Sequence, residues 1–131
     1  MMSDGRREPR NPRMRDEGYP KKERLIKTKD FGKVYRQGRS FKVDFIVLKV
    51  LPNTLPVNRL GFSIGSKSIK SSCRRNRIRR LFRESYRKNK KVLKKGFDMV
   101  LVVRKDAAKN FVYENAQKIF LKLAKEAGAL S

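Results

Sequence analysis

The sequence predicts a single α/β domain with the element order α-β-β-α-β-α. Two segments, 41–51 and 60–64, are rich in β-branched and aromatic residues. A third, 97–103, is apolar on nearly both faces, as expected for a strand inside a covered sheet. Apolar residues elsewhere recur at helical spacing. With 131 residues, 38% of them hydrophobic, the chain has enough apolar content for one modest core.

The first 22 residues carry seven basic and four acidic side chains together with three prolines, and they contain little that could be buried. We therefore expect a disordered tail over residues 1–22 and one domain over residues 23–131. The alternative for the tail is a basic arm that contacts RNA, although its mixed charge favours a solvated extension.

The first helix is predicted to begin with Thr28 as its cap and to end at Gly38. Phe31, Val34 and Tyr35 lie at positions i, i+3 and i+4 and form its apolar side. This spacing is equally compatible with core residues and with side chains that line a cleft.

Three strands are predicted after this helix. Residues 41–51 are expected to form one long strand, followed by a Pro/Asn loop over 52–58. The strand at 60–64 is expected to pair with it across that loop. The third strand covers 97–103, and a final helix is expected from about Asp106.

A helix of about five turns is expected between the second and third strands. On a helical projection of about 100° per residue, Ile78, Leu81, Phe82 and Ser85 form a stripe that can be buried. The opposite side is composed of arginine and one asparagine: Asn76, Arg77, Arg79, Arg80, Arg83 and Arg87. Guanidinium groups bind phosphate oxygens bidentately and stack on bases, so this side favours folded RNA as a partner.

The charge of the chain supports a polyanionic partner. Lys and Arg number 36 against 12 Asp and Glu, which gives a formal net charge of +24. Between residues 74 and 95 there are twelve basic residues, and Glu84 is the single acid. A solvated helix face normally pairs charges of both signs, and here that pairing is missing. Binding to an anionic lipid or an acidic protein is a further alternative.

Catalysis by the polypeptide itself is not indicated. The sequence has no His, Cys73 is its single cysteine, and the acids are scattered without a pair suited to metal binding or acid/base work. No phosphate-binding glycine motif occurs. No apolar run reaches the length of about 20 residues that a membrane span needs, and no signal peptide is recognisable, so we expect a cytoplasmic protein.

The segment RRNRIRRLFRESYR, residues 74–87, resembles the RNR signature of the protein subunit of bacterial ribonuclease P. The resemblance extends to RLIKTKDFGKVYRQGRS at 24–40, RLGFSIGSK at 59–67 and GFDMVLVVRK at 96–105. It implies an α/β two-layer sandwich, similar to the second domain of a small-subunit ribosomal protein. The implied sheet is mostly antiparallel, with a left-handed parallel β-α-β crossover, a rare hand among such units.

The resemblance also implies a function. In this family a large RNA subunit cuts the 5′ leader from precursor tRNA with Mg²⁺, while the protein binds that RNA and holds the leader. No cofactor is expected on the protein alone, and no DNA or membrane partner is expected. The chain would thus belong to an endoribonuclease without itself containing the catalytic centre.

The resemblance assigns two groups of residues by position. The helix surface that would bind the RNA subunit consists of Arg75, Asn76, Arg77, Arg79, Arg80, Arg83 and Arg87. The cleft that would hold the leader consists of Phe31, Tyr35, Lys49, Lys67, Arg104 and Lys105. Lys49 stands where some members have a tyrosine, and Ser66 replaces the first lysine of a frequent pair.

Two other classes share the basic charge. A small structural RNA-binding protein, such as a ribosomal protein, is the main alternative. It would lack the R-N-R-I-x-R order in combination with D-F-x-x-V-Y. A DNA-binding nucleoid protein comes third, because the sequence has neither a dimer spacing nor a minor-groove wedge.

Overall fold

The computed structural model describes residues 20–25, 27–106 and 111–130. The described strands form one sheet: β1 (Arg39–Val43), β2 (Ile46–Pro52), β3 (Arg59–Ser63) and β4 (Phe97–Val103). The described α-helices are α1 (Thr28–Gln37), α2 (Ser72–Lys88) and α3 (Tyr113–Glu126). Short 3₁₀ turns occupy Lys21–Glu23 and Lys90–Val92. The α/β class is confirmed, with one strand more than the sequence pattern suggests.

The sheet has the order β1-β2-β4-β3. β2 pairs antiparallel with both β1 and β4, whereas β3 runs parallel to β4. Helix α2 connects β3 to β4, which gives the mostly antiparallel sheet with one parallel β-α-β unit that the family resemblance implies.

The prediction of one long strand over 41–51 is wrong. The chain turns at Asp44 and Phe45, and β1 and β2 form a hairpin in which Val43 lies opposite Ile46. Asp44 adopts a φ of 52°, in the left-handed region that a short polar side chain tolerates better than its β-branched neighbours do.

The predicted pairing of the strand at 60–64 with the first strand is also wrong. β4 lies between β2 and β3, where Leu101 is opposite Leu48 on one side and Phe62 on the other. The apolar character of β4 on both faces fits this central place. The loop after β2 therefore leads to the far edge of the sheet instead of closing a hairpin.

The ends of two helices differ from expectation. Lys27 occupies the cap position of α1 and no side chain caps it, so Thr28 is not the cap. The predicted end at Gly38 is confirmed, and the position has no room for a side chain, because a Cβ there would lie 2.5 Å from the carbonyl oxygen of Val34. The last helix begins at Tyr113, well after Asp106, and residues 107–110 lie outside the described part of the chain.

The main core lies between one face of the sheet and helices α2 and α3. The predicted stripe of α2 is confirmed: Ile78, Phe82 and Ser85 are buried and Leu81 is half-buried. Tyr86, which the projection did not include, is also buried. The other face of the sheet is covered in part by α1, which packs through Val34.

Candidate nucleic-acid interface

Helix α2 starts with a side-chain cap and three arginines that bind neighbouring segments. Ser71 Oγ accepts a hydrogen bond from the Arg74 backbone amide at 3.3 Å. Arg75 Nη1 donates to the carbonyl oxygen of Ile69 at 2.6 Å, and Arg77 Nη2 donates to that of Phe111 at 2.8 Å. Arg74 Nε lies 2.9 Å from a carboxylate oxygen of Asp106. We call Arg74, Arg75 and Arg77 the anchoring arginines.

The remaining polar residues of this side form what we call the outer arginine surface. It consists of Asn76, Arg79, Arg80, Arg83 and Arg87, all of them exposed except for the half-buried Arg79. Arg79 Nη1 donates to Asn76 Oδ1 at 2.8 Å, so this pair presents a fixed arrangement of donors. Within the described residues, the side chain of Arg80 makes no hydrogen bond or ion pair.

The acid of α2 is engaged by its own helix. Arg87 donates to both carboxylate oxygens of Glu84, at 2.7 and 3.1 Å, and this hydrogen bonding lowers the pKa of Glu84. The pair keeps Glu84 ionised and leaves most of the positive charge of the outer arginine surface uncompensated. Such a surface attracts a polyanion.

A cavity of about 350 Å³ lies where the outer arginine surface meets the β3 edge of the sheet. Arg79 and Arg83 line it on one side, and Phe31 of α1 and Phe62 of β3 line it on the other. Gly61 permits this arrangement, because a Cβ there would lie 2.6 Å from Phe31 Cζ. The cavity therefore joins two groups of residues that the sequence resemblance assigned separately.

The two aromatic residues of α1 have different environments. Phe31 is half-buried and packs against the cluster of Leu25, Val34 and Val100. Tyr35 is 41% exposed, and Lys49 Nζ lies 5.3 Å from the centre of its ring. The alternative that both residues belong to the core does not hold for Tyr35.

The other basic residues of the predicted cleft lie at one edge of the sheet. Lys67 follows β3, and Arg104 and Lys105 follow β4, and all three are exposed. Because β3 and β4 are parallel neighbours, their carboxyl ends lie side by side at the same end of the strands. Lys49 lies opposite Val100, four residues before Arg104, so the backbone positions of Lys49 and Arg104 are about 13 Å apart along the strand direction.

A charged network that the sequence reasoning missed attaches α1 to the sheet. Arg59 Nη2 lies 2.7 Å from Asp98 Oδ2, and Arg59 Nη1 lies 3.3 Å from Asp30 Oδ2 of α1. The hydrogen bond to Asp98 raises the pKa of Arg59. Asn53 Nδ2 donates to Asp98 Oδ1 at 2.8 Å. The sequence contained one signal for this network. Asp98 is an acid within the apolar run of β4, and a buried carboxylate requires partners.

The described residues contain neither a candidate metal cluster nor a candidate membrane span. No group of three or more His, Cys, Asp or Glu residues could hold a metal ion within ranges 20–25, 27–106 and 111–130. Over the same ranges, no helix is long and apolar enough to cross a lipid bilayer.

Comparisons with known sequences agree with the motifs. A family model described as Ribonuclease P matches residues 19–128. The ribonuclease P protein component of Natranaerobius thermophilus is 41% identical over 106 residues, which cover 81% of this chain and 90% of that protein. The component from Clostridium botulinum (strain Loch Maree) is 38% identical over 109 residues, covering 82% and 96%.

Solved structures agree with the fold. The RNase P protein of Thermotoga maritima matches with a TM-score of 0.72 and 31% identity, covering 79% of this chain and 96% of that one. A mutant Staphylococcus aureus RNase P protein, described as defective in mRNA degradation activity, matches with a TM-score of 0.78 and 26% identity, covering 92% and 99%. The chain therefore belongs to the ribonuclease P protein family, whose members are the protein components of the ribonuclease P endonuclease.

Proposed function

We propose that this protein binds the RNA subunit of ribonuclease P through the outer arginine surface and holds the 5′ leader of precursor tRNA beside α1. The observation that carries the proposal is the exposure of Arg80, Arg83 and Arg87 on one side of α2, with Glu84 as the single acid of that helix. Cationic side chains in such an array release counterions when they bind phosphates, which provides affinity for folded RNA.

Leader binding is supported by the surroundings of Tyr35. Its exposed ring lies beside Lys49, and Lys49 Nζ is 3.0 Å from Ser40 Oγ, so the ammonium group is held next to the ring. An aromatic face beside a cation suits a single strand, because base stacking tolerates any sequence while the cation neutralises the backbone. Lys67, Arg104 and Lys105 would extend this path towards the sheet edge.

The anchoring arginines have a supporting role in this proposal. Arg75 and Arg77 donate hydrogen bonds to backbone carbonyls of the segments that precede α2 and α3. They thereby hold the start of the helix while part of each guanidinium group stays available to RNA. We infer that they contribute to RNA binding less directly than Arg79, Arg80 and Arg83.

The chemistry of cleavage is assigned to the RNA subunit and its Mg²⁺ ions, in the cytoplasm. The chain has no His and no motif for nucleotide hydrolysis, and its single Cys is compatible with a reducing compartment. The protein would increase the affinity for precursor tRNA through the leader, and it would not contribute a group to phosphodiester hydrolysis.

Reconstitution tests the proposal. The purified protein alone should leave precursor tRNA intact, and addition of the cognate RNA subunit with Mg²⁺ should give cleavage at the mature 5′ end. The protein should lower the substrate concentration needed for half-maximal cleavage. Cleavage by nuclease-free protein without the RNA subunit would contradict the assignment of catalysis to RNA.

The role of Tyr35 can be tested by leader length. Tyr35→Ala should weaken holoenzyme binding to precursor tRNA by about 1 to 3 kcal/mol and leave mature tRNA binding unchanged, because mature tRNA has no leader to stack. Phe31→Ala serves as the matched variant, and it should lower the free energy of unfolding by about 2 kcal/mol, because its half-buried ring packs against Leu25, Val34 and Val100. An equal loss on precursor and mature tRNA would contradict leader stacking by Tyr35.

A further inference from the structure

A second cavity, of about 300 Å³, lies at the carboxyl end of α2. Four lysines from two separate parts of the chain line it: Lys22, Lys90, Lys91 and Lys95. None of them belongs to the outer arginine surface or to the predicted leader cleft. We call this site the lysine cavity.

The walls of the lysine cavity are largely apolar. Val57, Leu93 and Tyr86 contribute to them, and Tyr86 and Leu93 are buried in the core. A volume of about 300 Å³ is at the lower end of the range for small-molecule pockets, which suits one nucleotide or a ligand of similar size.

The acid at the base of the cavity is already neutralised. Glu23 is 6% exposed, accepts a hydrogen bond from the Tyr86 hydroxyl, and lies 2.9 Å from Lys90 Nζ. Lys90 is therefore committed to Glu23. Lys22, Lys91 and Lys95 are exposed around the opening, and they give the cavity a rim of positive charge above an apolar wall.

The lysine cavity is adjacent to the cavity beside Phe31. The segment 22–25 separates the two, with Lys22 lining the first and Arg24 lining the second. On α2, Tyr86 follows Arg79 by seven residues, which is about 10 Å along the helix axis. One RNA strand can therefore contact both sites, because their linings adjoin at residues 22–25.

We propose that the lysine cavity binds one nucleotide of a single-stranded RNA segment, with the base against the apolar wall and the phosphates facing Lys22, Lys91 and Lys95. The inference rests on the proposed function, because it requires RNA to be bound along α2. Lysine binds phosphate as a point charge without fixing its orientation, so the site would tolerate any sequence. Both the RNA subunit and the leader of precursor tRNA can supply such a nucleotide.

The test compares two triple variants with the same loss of charge. K22A/K91A/K95A removes the rim, and K118A/K122A/K125A removes three exposed lysines from α3. Affinity is measured across a salt titration with the RNA subunit alone, and then with the holoenzyme on precursor and mature tRNA. The rim variant should flatten the salt dependence by about 0.7 to 0.9 log units per lost phosphate contact, and the α3 variant should change it less.

The arms of the experiment identify the source of the nucleotide. A flatter salt dependence of the rim variant with the RNA subunit alone assigns the nucleotide to that RNA. A flatter salt dependence only with precursor tRNA assigns the nucleotide to the leader. Equal slopes for the two variants in every arm would overturn the inference. If R79A/R80A/R83A still loses affinity in that case, the proposed function stands and only the lysine cavity is rejected.

A second measurement on the unsubstituted protein does not depend on the folding of any variant. Acetylation of lysines in the RNA complex, read by mass spectrometry, should be slowed at Lys22, Lys91 and Lys95. The α3 lysines should react at the same rate with and without RNA. Unchanged reactivity at all three rim lysines would also overturn the inference.

Discussion

The anchoring arginines and the outer arginine surface belong to the same helix but have different surroundings. Arg75 and Arg77 donate to backbone carbonyls of residues 69 and 111, which lie just before α2 and just before α3. Arg80 has no hydrogen-bond or ion-pair partner among the described residues. One residue type therefore has two functions, which are separated by direction around the helix: the first group stabilises the position of α2, and the second presents charge.

Positive charge alone is therefore a poor guide to which arginines of α2 would contact RNA. A guanidinium group that donates to a part-buried carbonyl leaves that acceptor without its protein donor when it moves away, and this costs free energy. We therefore expect substitutions at the anchoring arginines to affect stability, and substitutions on the outer surface to affect RNA binding. The following variants, from the largest to the smallest expected effect, test this separation.

Arg79, Arg80 and Arg83 changed together to Ala should have the largest effect. The salt dependence of binding to the RNA subunit should flatten by about 0.7 to 0.9 log units for each lost phosphate contact, with a corresponding loss of affinity. The free energy of unfolding should change little, because Arg80 and Arg83 are exposed and the half-buried Arg79 donates to an exposed amide of its own helix. Such surface substitutions usually cost less than about 0.5 kcal/mol each. An unchanged slope would remove the outer surface from the interface.

Arg77→Ala should have an intermediate effect and should act mainly on stability. The Phe111 carbonyl loses its charged donor, and we expect the free energy of unfolding in urea to fall by about 1 kcal/mol. Arg80→Ala is the matched control and should unfold at the same urea concentration as the unsubstituted protein. If Arg77→Ala keeps full stability and binds RNA as weakly as Arg80→Ala, the two groups do not differ.

Glu84→Gln should have the smallest effect. It removes the acid of α2 and the partner of Arg87, so stability should fall by less than about 0.5 kcal/mol while RNA affinity rises slightly. Arg87 lowers the pKa of Glu84, so the pair stabilises the protein at neutral pH and loses this effect as the pH falls through that lowered value. Thermal unfolding of the two proteins should therefore converge in acid, and a difference that persists there would contradict the ion pair.

The spacing of apolar residues predicted those elements in which the buried residues recur at a single regular interval. The stripe of Ile78, Phe82 and Ser85 and the strand at 97–103 are both confirmed, because each is decided by neighbours in the sequence. The turn at Asp44 was missed because strand-forming residues continue on both sides of it. The partner of β3 was missed because strand pairing depends on contacts that span dozens of residues, which no local period reports.

In the candidate site, too, local spacing predicted some features, and contacts between distant residues decided the others. The direction of the outer arginine surface followed from helical geometry, and the structure places its residues on one side of α2. The partners of Arg77 and of Glu23 lie 34 and 63 residues away in the sequence, so spacing could not reveal them. The lysine cavity is built from three separate segments and is invisible to any motif.

The position of β4 has a consequence for how the chain folds during synthesis. Of the described strands, β4 is the last to leave the ribosome, although it lies between β2 and β3 in the sheet. Until it emerges, β1 and β2 can form only a two-stranded hairpin, which is marginally stable, and β3 lacks its partner strand. Chains that end before Phe97 should therefore show no cooperative unfolding transition by circular dichroism. The arginines of α2 would meet cellular RNA before the sheet that positions them is complete.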